Sequence, residues 1–279
     1  MNLKARYKEL MLLASLNCKI FSKKCWAKKA GCFISMLLLC GCALNHDKNK
    51  QINPQQLISE QDVLEIADIA IAQLELLLDT KLEHRPEVHF VNAQQLKAHL
   101  LSHFVDVDQD SANALSHYSQ SVVAIYCEYE KDIYVVADNI QIYERSGYSE
   151  QEVAYDAMLH ILIHELVHAI QDQRGLLNWP AANAEQFRAF STLVEGHADL
   201  QTALVLKRIG LIDDIYDYGV HPIPIDSDDK ALNQFSDEFS QRYVIGKKIF
   251  NKIHQRYGND ATWLALKAPR QQIQRMLNP

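Results

Sequence analysis

The apolar positions of this chain change period several times, and each change marks an element. Between Ser149 and Gly175 they recur every three or four residues, so Leu159, Leu162, Ile163, Leu166, Val167 and Ile170 share one side of a predicted helix. Ser149 with Glu152 three positions on forms a capping box at its start. Gly175 supplies a left-handed stop, and Arg174 suits the negative end of the helix dipole. A second long helix is predicted from a cap at Asn183 and Gln186 to a stop at Gly210. Upstream, Asn53-Pro54 offers an N-cap and a first-turn proline for a helix to about Asp79, with Leu57, Leu64, Ile71, Leu74 and Leu78 as its core stripe. Ala93–Phe104 predicts a shorter helix, and Phe235–Tyr257 and Asp260–Leu277 predict two closing ones.

Strand signals are confined to the first half. Glu87–Val91 is one; Ser121–Tyr126 and Ile133–Ala137, separated by the charged Glu128–Asp132, read as a hairpin. In a peptidase this hairpin would offer the sheet edge that pairs with an extended substrate, and plain core strands fit the same pattern. Asp213–Lys230, acidic and Pro-bearing, reads as a long surface loop over a cleft. The expected fold class is α+β: a small N-terminal sheet with helices, two long central helices and a helical C-terminal portion.

Composition narrows the function. With 279 residues and 48% hydrophobic content the chain can bury a substantial core. Its formal charge of −7 conceals a basic leader: residues 1–41 hold eight Lys/Arg and one acid, leaving 20 basic against 34 acidic side chains, a balance of −14. Such a surface repels nucleic acid, and no nucleic-acid partner is expected. Five of six cysteines lie at Cys18, Cys25, Cys32, Cys40 and Cys42. Cys127 alone remains beyond them, so no disulfide framework or thiolate metal cluster is expected in the folded part, and it reads as a small buried hydrophobe in a strand. After residue 42 there is no phosphate-binding Gly-rich loop, internal repeat or Gly-x-Ser-x-Gly elbow. Asp106, Asp108 and Asp110 alternate as in a calcium loop, but Ser111 and His117 stand where glycine and a bidentate glutamate are needed, so an acidic turn is expected.

Lys28-Lys29 followed by the apolar Ala30–Leu39 has the form of a cleaved signal, too short to span a bilayer stably. It ends Leu39-Cys40-Gly41-Cys42, which resembles the bacterial lipoprotein lipobox. That resemblance implies a signal peptide over 1–41 and lipid attachment at Cys42. It also implies a tether over 42–56, and Ala43 in place of aspartate implies an outer-membrane anchor facing the periplasm. The folded domain would then occupy 57–279.

The chemistry centres on His164-Glu165-Leu166-Val167-His168. Four residues are about one helical turn, so the two imidazoles project from one face roughly 6 Å apart and can hold one zinc ion, with Glu165 placed to take a proton from zinc-bound water. A metzincin would continue with a glycine and a third histidine, where this chain has Gln171 and Arg174. The next helix carries Glu195-Gly196-His197-Ala198-Asp199. Glu195 can complete a His₂Glu set with a fourth position for water, and Asp199, one turn on, can accept the spare N–H of a ligand histidine. Gly196 would let this helix approach the first closely. His160 is too far along the helix to join His168 on one ion, and His197 points away from Glu195. Gln171 continues the histidine face, either toward substrate or toward the neighbouring helix. The alternative is a pair of histidines on a helix–helix contact with Glu195 and Asp199 as ion-pair partners.

At this point the chain resembles the gluzincins, zinc peptidases with His-Glu-x-x-His and a later Glu-x-x-x-Asp. His164-Glu-Leu-Val-His-Ala-Ile-Gln-Asp-Gln173, Glu195-Gly-His-Ala198, Tyr243-x-x-Gly246 and the terminal Leu277-Asn-Pro279 resemble a group of bacterial zincin-like proteins over roughly 150–279. The resemblance implies His164, His168 and Glu195 as ligands of one Zn²⁺, Glu165 as general base and Asp199 behind a ligand. It further implies Tyr243, or else His221, as the oxyanion donor. The implied function is a membrane-anchored zinc peptidase acting on peptide or unfolded-protein substrates. A non-catalytic zinc-binding envelope lipoprotein that assists assembly, and an amidase of cell-wall peptides, are the alternatives.

Overall fold

The structure, a computed structural model, describes residues 51–52, 58–79, 81–103, 112, 115–116, 119–120, 122–136, 139, 142–143, 150–177, 184–215 and 230–267. The signal segment, Cys42, the aspartate-rich turn, Ser149, Asn183, His221 and most of the expected 213–230 loop lie outside these residues, as does the side chain of Tyr243. The element order is β1 (Gln51–Ile52), α1 (Glu60–Leu78), β2 (Val88–Phe90), α2 (Ala93–Ser102), β3 (Ala124–Cys127), β4 (Asp132–Val135), β5 (Ile142–Tyr143), α3 (Glu150–Gln173), α4 (Ala184–Arg208), α5 (Lys230–Tyr257) and α6 (Asn259–Lys267). The class is α+β.

The hairpin forms as expected. β3 pairs antiparallel with β4, and β2 pairs parallel with β4 on its other side, giving the order β2-β4-β3 with β3 at an edge. A separate two-residue ladder joins β1, within the expected tether, to β5. The strands read as near-continuous apolar runs because both faces of the sheet are covered. Ala124, Tyr126, Ile133 and Val135 face the main core with α1 and α3. Ile125, Cys127, Tyr134 and Val136 face a smaller core with Leu96 and Leu100 of α2.

Helix α1 begins at Glu60, not at Pro54. Ser59 is its N-cap, with the Ser59 amide donating to Asp62 Oδ2 at 2.7 Å and the Asp62 amide to Ser59 Oγ at 3.2 Å. Its buried face runs through Val63, Ile66, Ala67, Ala70, Ile71 and Leu74. Leu64, expected in the core, is 39% exposed. The small Ala67 and Ala70 let the helix settle against α3 on a face rotated away from Leu64. Helix α6 is described only to Lys267, so the expected extension to Leu277 lies outside the described residues.

Helix α3 is the central post of the fold, buried on nearly every side from Met158 to Gln171. Its Val153–Gln173 stretch is long and apolar enough to cross a membrane, but 72% of the most apolar window is buried against the rest of the protein, as suits a core helix. It ends where expected: Gly175 has φ +65, its amide donates to Asp172 O at 2.7 Å, and Leu176 N reaches back to Gln171 O at 2.8 Å. Helix α4 ends the same way at Gly210.

Candidate metal centre

One turn of α3 separates His164 from His168, and their Nε2 atoms approach to 3.1 Å. Helix α4 crosses beside them and brings Glu195 Oε2 to 3.3 Å from His164 Nε2 and 3.5 Å from His168 Nε2. Donors about 2.0–2.1 Å from a tetrahedral zinc stand roughly 3.3–3.4 Å from one another, so this triangle has the dimensions of one face of such a site. All three residues are buried, as is Glu165 beside them.

The outer ring nitrogens are held by partners that decide the tautomers. His164 Nδ1 lies 2.9 Å from Asp199 Oδ1. An ionised carboxylate only accepts, so Nδ1 carries the hydrogen and the Nε2 lone pair of the neutral ring is the one that faces Glu195. For His168 the deduction starts at a backbone carbonyl. Val194 O can only accept, so the Gln171 atom 3.1 Å away is the amide nitrogen. Gln171 Oε1 therefore faces His168 Nδ1, at 2.7 Å, and accepts its hydrogen. Two ring nitrogens and a carboxylate oxygen converging at this spacing are satisfied by a shared cation, whether a metal ion or a proton on one ring. Two nitrogens and one oxygen are donors suited to zinc and to other first-row divalent ions.

Behind this layer sits His197, fully buried against the rings of Phe250 and Trp263. Burial and the nearby Arg174 guanidinium push its pKa down to about 3, so it is a neutral ring. Its Nδ1 accepts from Gln171 Nε2 at 3.1 Å, and its Nε2 lies 3.4 Å from Thr262 Oγ1. His197 thus points away from Glu195, as its helical offset predicts. Arg174 caps the end of α3 and also stacks over Trp263 at 4.0 Å.

Gly196 corrects one expectation. It gives close approach not to α3 but to α5: a methyl group there would overlap the backbone of Gly246 and Lys247. A methyl at Gly246 would in turn overlap the Thr192 carbonyl. Helices α4 and α5 therefore meet backbone to backbone, one residue from Glu195. The Tyr243-x-x-Gly246 motif contributes this crossing through its glycine.

Comparison with protein-family models, with curated proteins and with solved structures returns no match to this chain. The site stands on its own geometry.

Glu165 is oriented by the sheet. Its Oε2 accepts the Tyr126 amide hydrogen at 3.0 Å, and the Tyr126 hydroxyl donates to Asp172 Oδ2 at 3.0 Å. Residue pairing in β3 alternates, with Val136 N bonded to Val123 O, so the backbone groups of Ala124 and Tyr126 face away from β4, on a side where both residues are buried, as in a plain core strand. Tyr126 pins β3 to α3 at two points. His160 is partly buried and lies outside the ligand triangle. The parts that sequence reasoning missed are Tyr126 and the full role of Gln171. Gln171 offered a signal, standing three residues after His168 on the same face; Tyr126 offered none.

Proposed function

We propose that the protein is a zinc-dependent peptidase of gluzincin type, with His164, His168 and Glu195 holding one Zn²⁺. The observation that carries this reading is the donor triangle with both outer ring nitrogens already gripped by Asp199 and Gln171. A bound zinc supplies acidification of water and polarisation of a carbonyl. Glu165, one residue from His164 and anchored on the β3 edge, takes the proton from the attacking water and delivers it to the leaving amine. Tyr243 or His221 would donate to the developing oxyanion. With lipid on Cys42, the enzyme would act on peptides or unfolded proteins at the outer membrane, in the periplasm. The burial of all three donors also suits the second reading, a metal-holding envelope lipoprotein without catalysis.

Metal analysis and a peptide-library assay separate the two. The expected result is one zinc bound at this triangle and hydrolysis abolished in Glu165→Gln with that zinc retained. Unchanged hydrolysis in Glu165→Gln would refute the assigned base, and absence of hydrolysis with zinc bound would favour the binding protein. Retention of the unprocessed precursor in Cys42→Ala tests the anchor.

A further inference from the structure

A second group of donors lies on the opposite face of the sheet. His99 and His103 stand one turn apart on α2, with their Nε2 atoms 3.3 Å from each other. Glu130, in the turn between β3 and β4, places Oε1 at 2.8 Å from His103 Nε2 and Oε2 at 3.6 Å from His99 Nε2. Cys127, at the end of β3, donates its S–H to Glu130 Oε2. One donor atom from each of the four residues falls within 4.8 Å of every other. The rings are seated: His99 lies against Tyr134 at 4.2 Å between centroids, and His103 stacks on Tyr129 at 5.1 Å with planes 5° apart.

We propose that His99, His103, Cys127 and Glu130 form a second, four-ligand site for Zn²⁺, independent of the peptidase reading. Several features argue for a metal site over an ordinary polar cluster. One thiolate, two imidazoles and one carboxylate form a complete tetrahedral set of the kind that closes a structural zinc site, leaving no position for substrate. A carboxylate and two rings alone would make a surface ion pair. The added sulfur, at the bottom of the group and fully buried, gives the soft donor that favours zinc over calcium or magnesium. The other three side chains are only partly covered, at 24%, 19% and 28% exposure for His99, His103 and Glu130, so an ion has a path in from solvent.

In the metal-free protein the thiol keeps its hydrogen and donates it to Glu130 Oε2. On binding, the S–H bond breaks, the sulfur takes the metal in place of the proton, and the proton leaves to solvent. The bound ion would fasten α2 to the β3–β4 turn. Cys127 adjoins Tyr126, so the same strand is tied by metal on one face and holds Glu165 on the other.

The test is Co²⁺ titration of the full chain, read by the sulfur-to-cobalt charge-transfer band, with far-ultraviolet circular dichroism as a folding control. The wild-type protein should show the band, and Cys127→Ser should lose it. The double variant His99→Ala/His103→Ala, at positions 24% and 19% exposed, should lose it too. His164→Ala/His168→Ala should keep it, which separates this site from the first. A band of wild-type amplitude in either Cys127→Ser or the His99/His103 variant would overturn the proposal, as would absence of any band in the wild type. Should Cys127→Ser misfold, the His99/His103 variant alone decides.

Discussion

Replacing Gln171 by methionine isolates the tautomer relay from simple packing. Methionine matches glutamine in length and nearly in volume, so no cavity of consequence opens. The change removes three contacts: the acceptor for the Nδ1 hydrogen of His168, the donor to Nδ1 of His197, and a second donor to the Val194 carbonyl, which keeps its helical bond. Each buried group left unpaired costs about 1–3 kcal/mol. Because one side chain serves all three, their costs do not add, and a total of about 2–4 kcal/mol is expected for the metal-free protein. Loss of the partner behind a ligand histidine weakens metal binding about 10–100-fold, or about 1.4–2.7 kcal/mol. Urea unfolding in the presence of chelator measures the first quantity, and zinc competition against a chromogenic chelator the second. Gln171→Glu gives the internal control. Its carboxylate still accepts from His168, so affinity should recover relative to Gln171→Met, whereas an anion against the Val194 carbonyl keeps stability low. Wild-type affinity and stability in Gln171→Met would refute the relay.

Three further outcomes follow from the same geometry. Gly196→Ala forces a methyl into the backbone of α5 and should cost about 3 kcal/mol in urea unfolding; a neutral result would mean that α4 and α5 do not meet there. Tyr126→Phe removes the hydroxyl bond to Asp172 but leaves the amide bond to Glu165, so stability should fall by about 1 kcal/mol while peptide hydrolysis persists. Glu75 accepts from Lys81 at 2.7 Å and from the Leu82 amide at 3.1 Å, and the Lys81 bond holds its pKa below 4.5. A carboxyl lowered in the folded state stabilises above its unfolded pKa and loses that contribution as pH falls through the folded value. Acid unfolding curves of Glu75→Gln should therefore be shallower below about pH 4.5 than those of the wild type.

Legibility in the sequence followed the distance over which an interaction acts. The pairing of His164 with His168, and of Glu195 with Asp199, rests on the pitch of one helix, which no tertiary contact alters, and the donor group forms as that pitch requires. The stop at Gly175 is likewise local. The partner of Gly196 was not legible, because the side of α4 it occupies is plain from spacing while the helix waiting there is not. Tyr126 shows the limit most clearly: its contribution to Glu165 is a backbone amide, to which the side-chain alphabet is blind. The start of α1 is expected at Asn53-Pro54, but the cap that forms is Ser59 with Asp62, whose two reciprocal bonds close the first turn at Glu60. Leu64 was misplaced because a seven-residue repeat of leucines outshone a stripe built partly from alanine.

Strand β3 carries alternate residues to opposite faces, with Tyr126 toward α3 and Cys127 toward α2. Inserting or deleting a single residue ahead of this pair would exchange the two directions at a stroke, sending the sulfur to the wrong side and taking the Tyr126 hydroxyl away from Asp172. Drift in the length of this short run is thus intolerable for two chemistries at once, whereas point changes at either face need trouble only one.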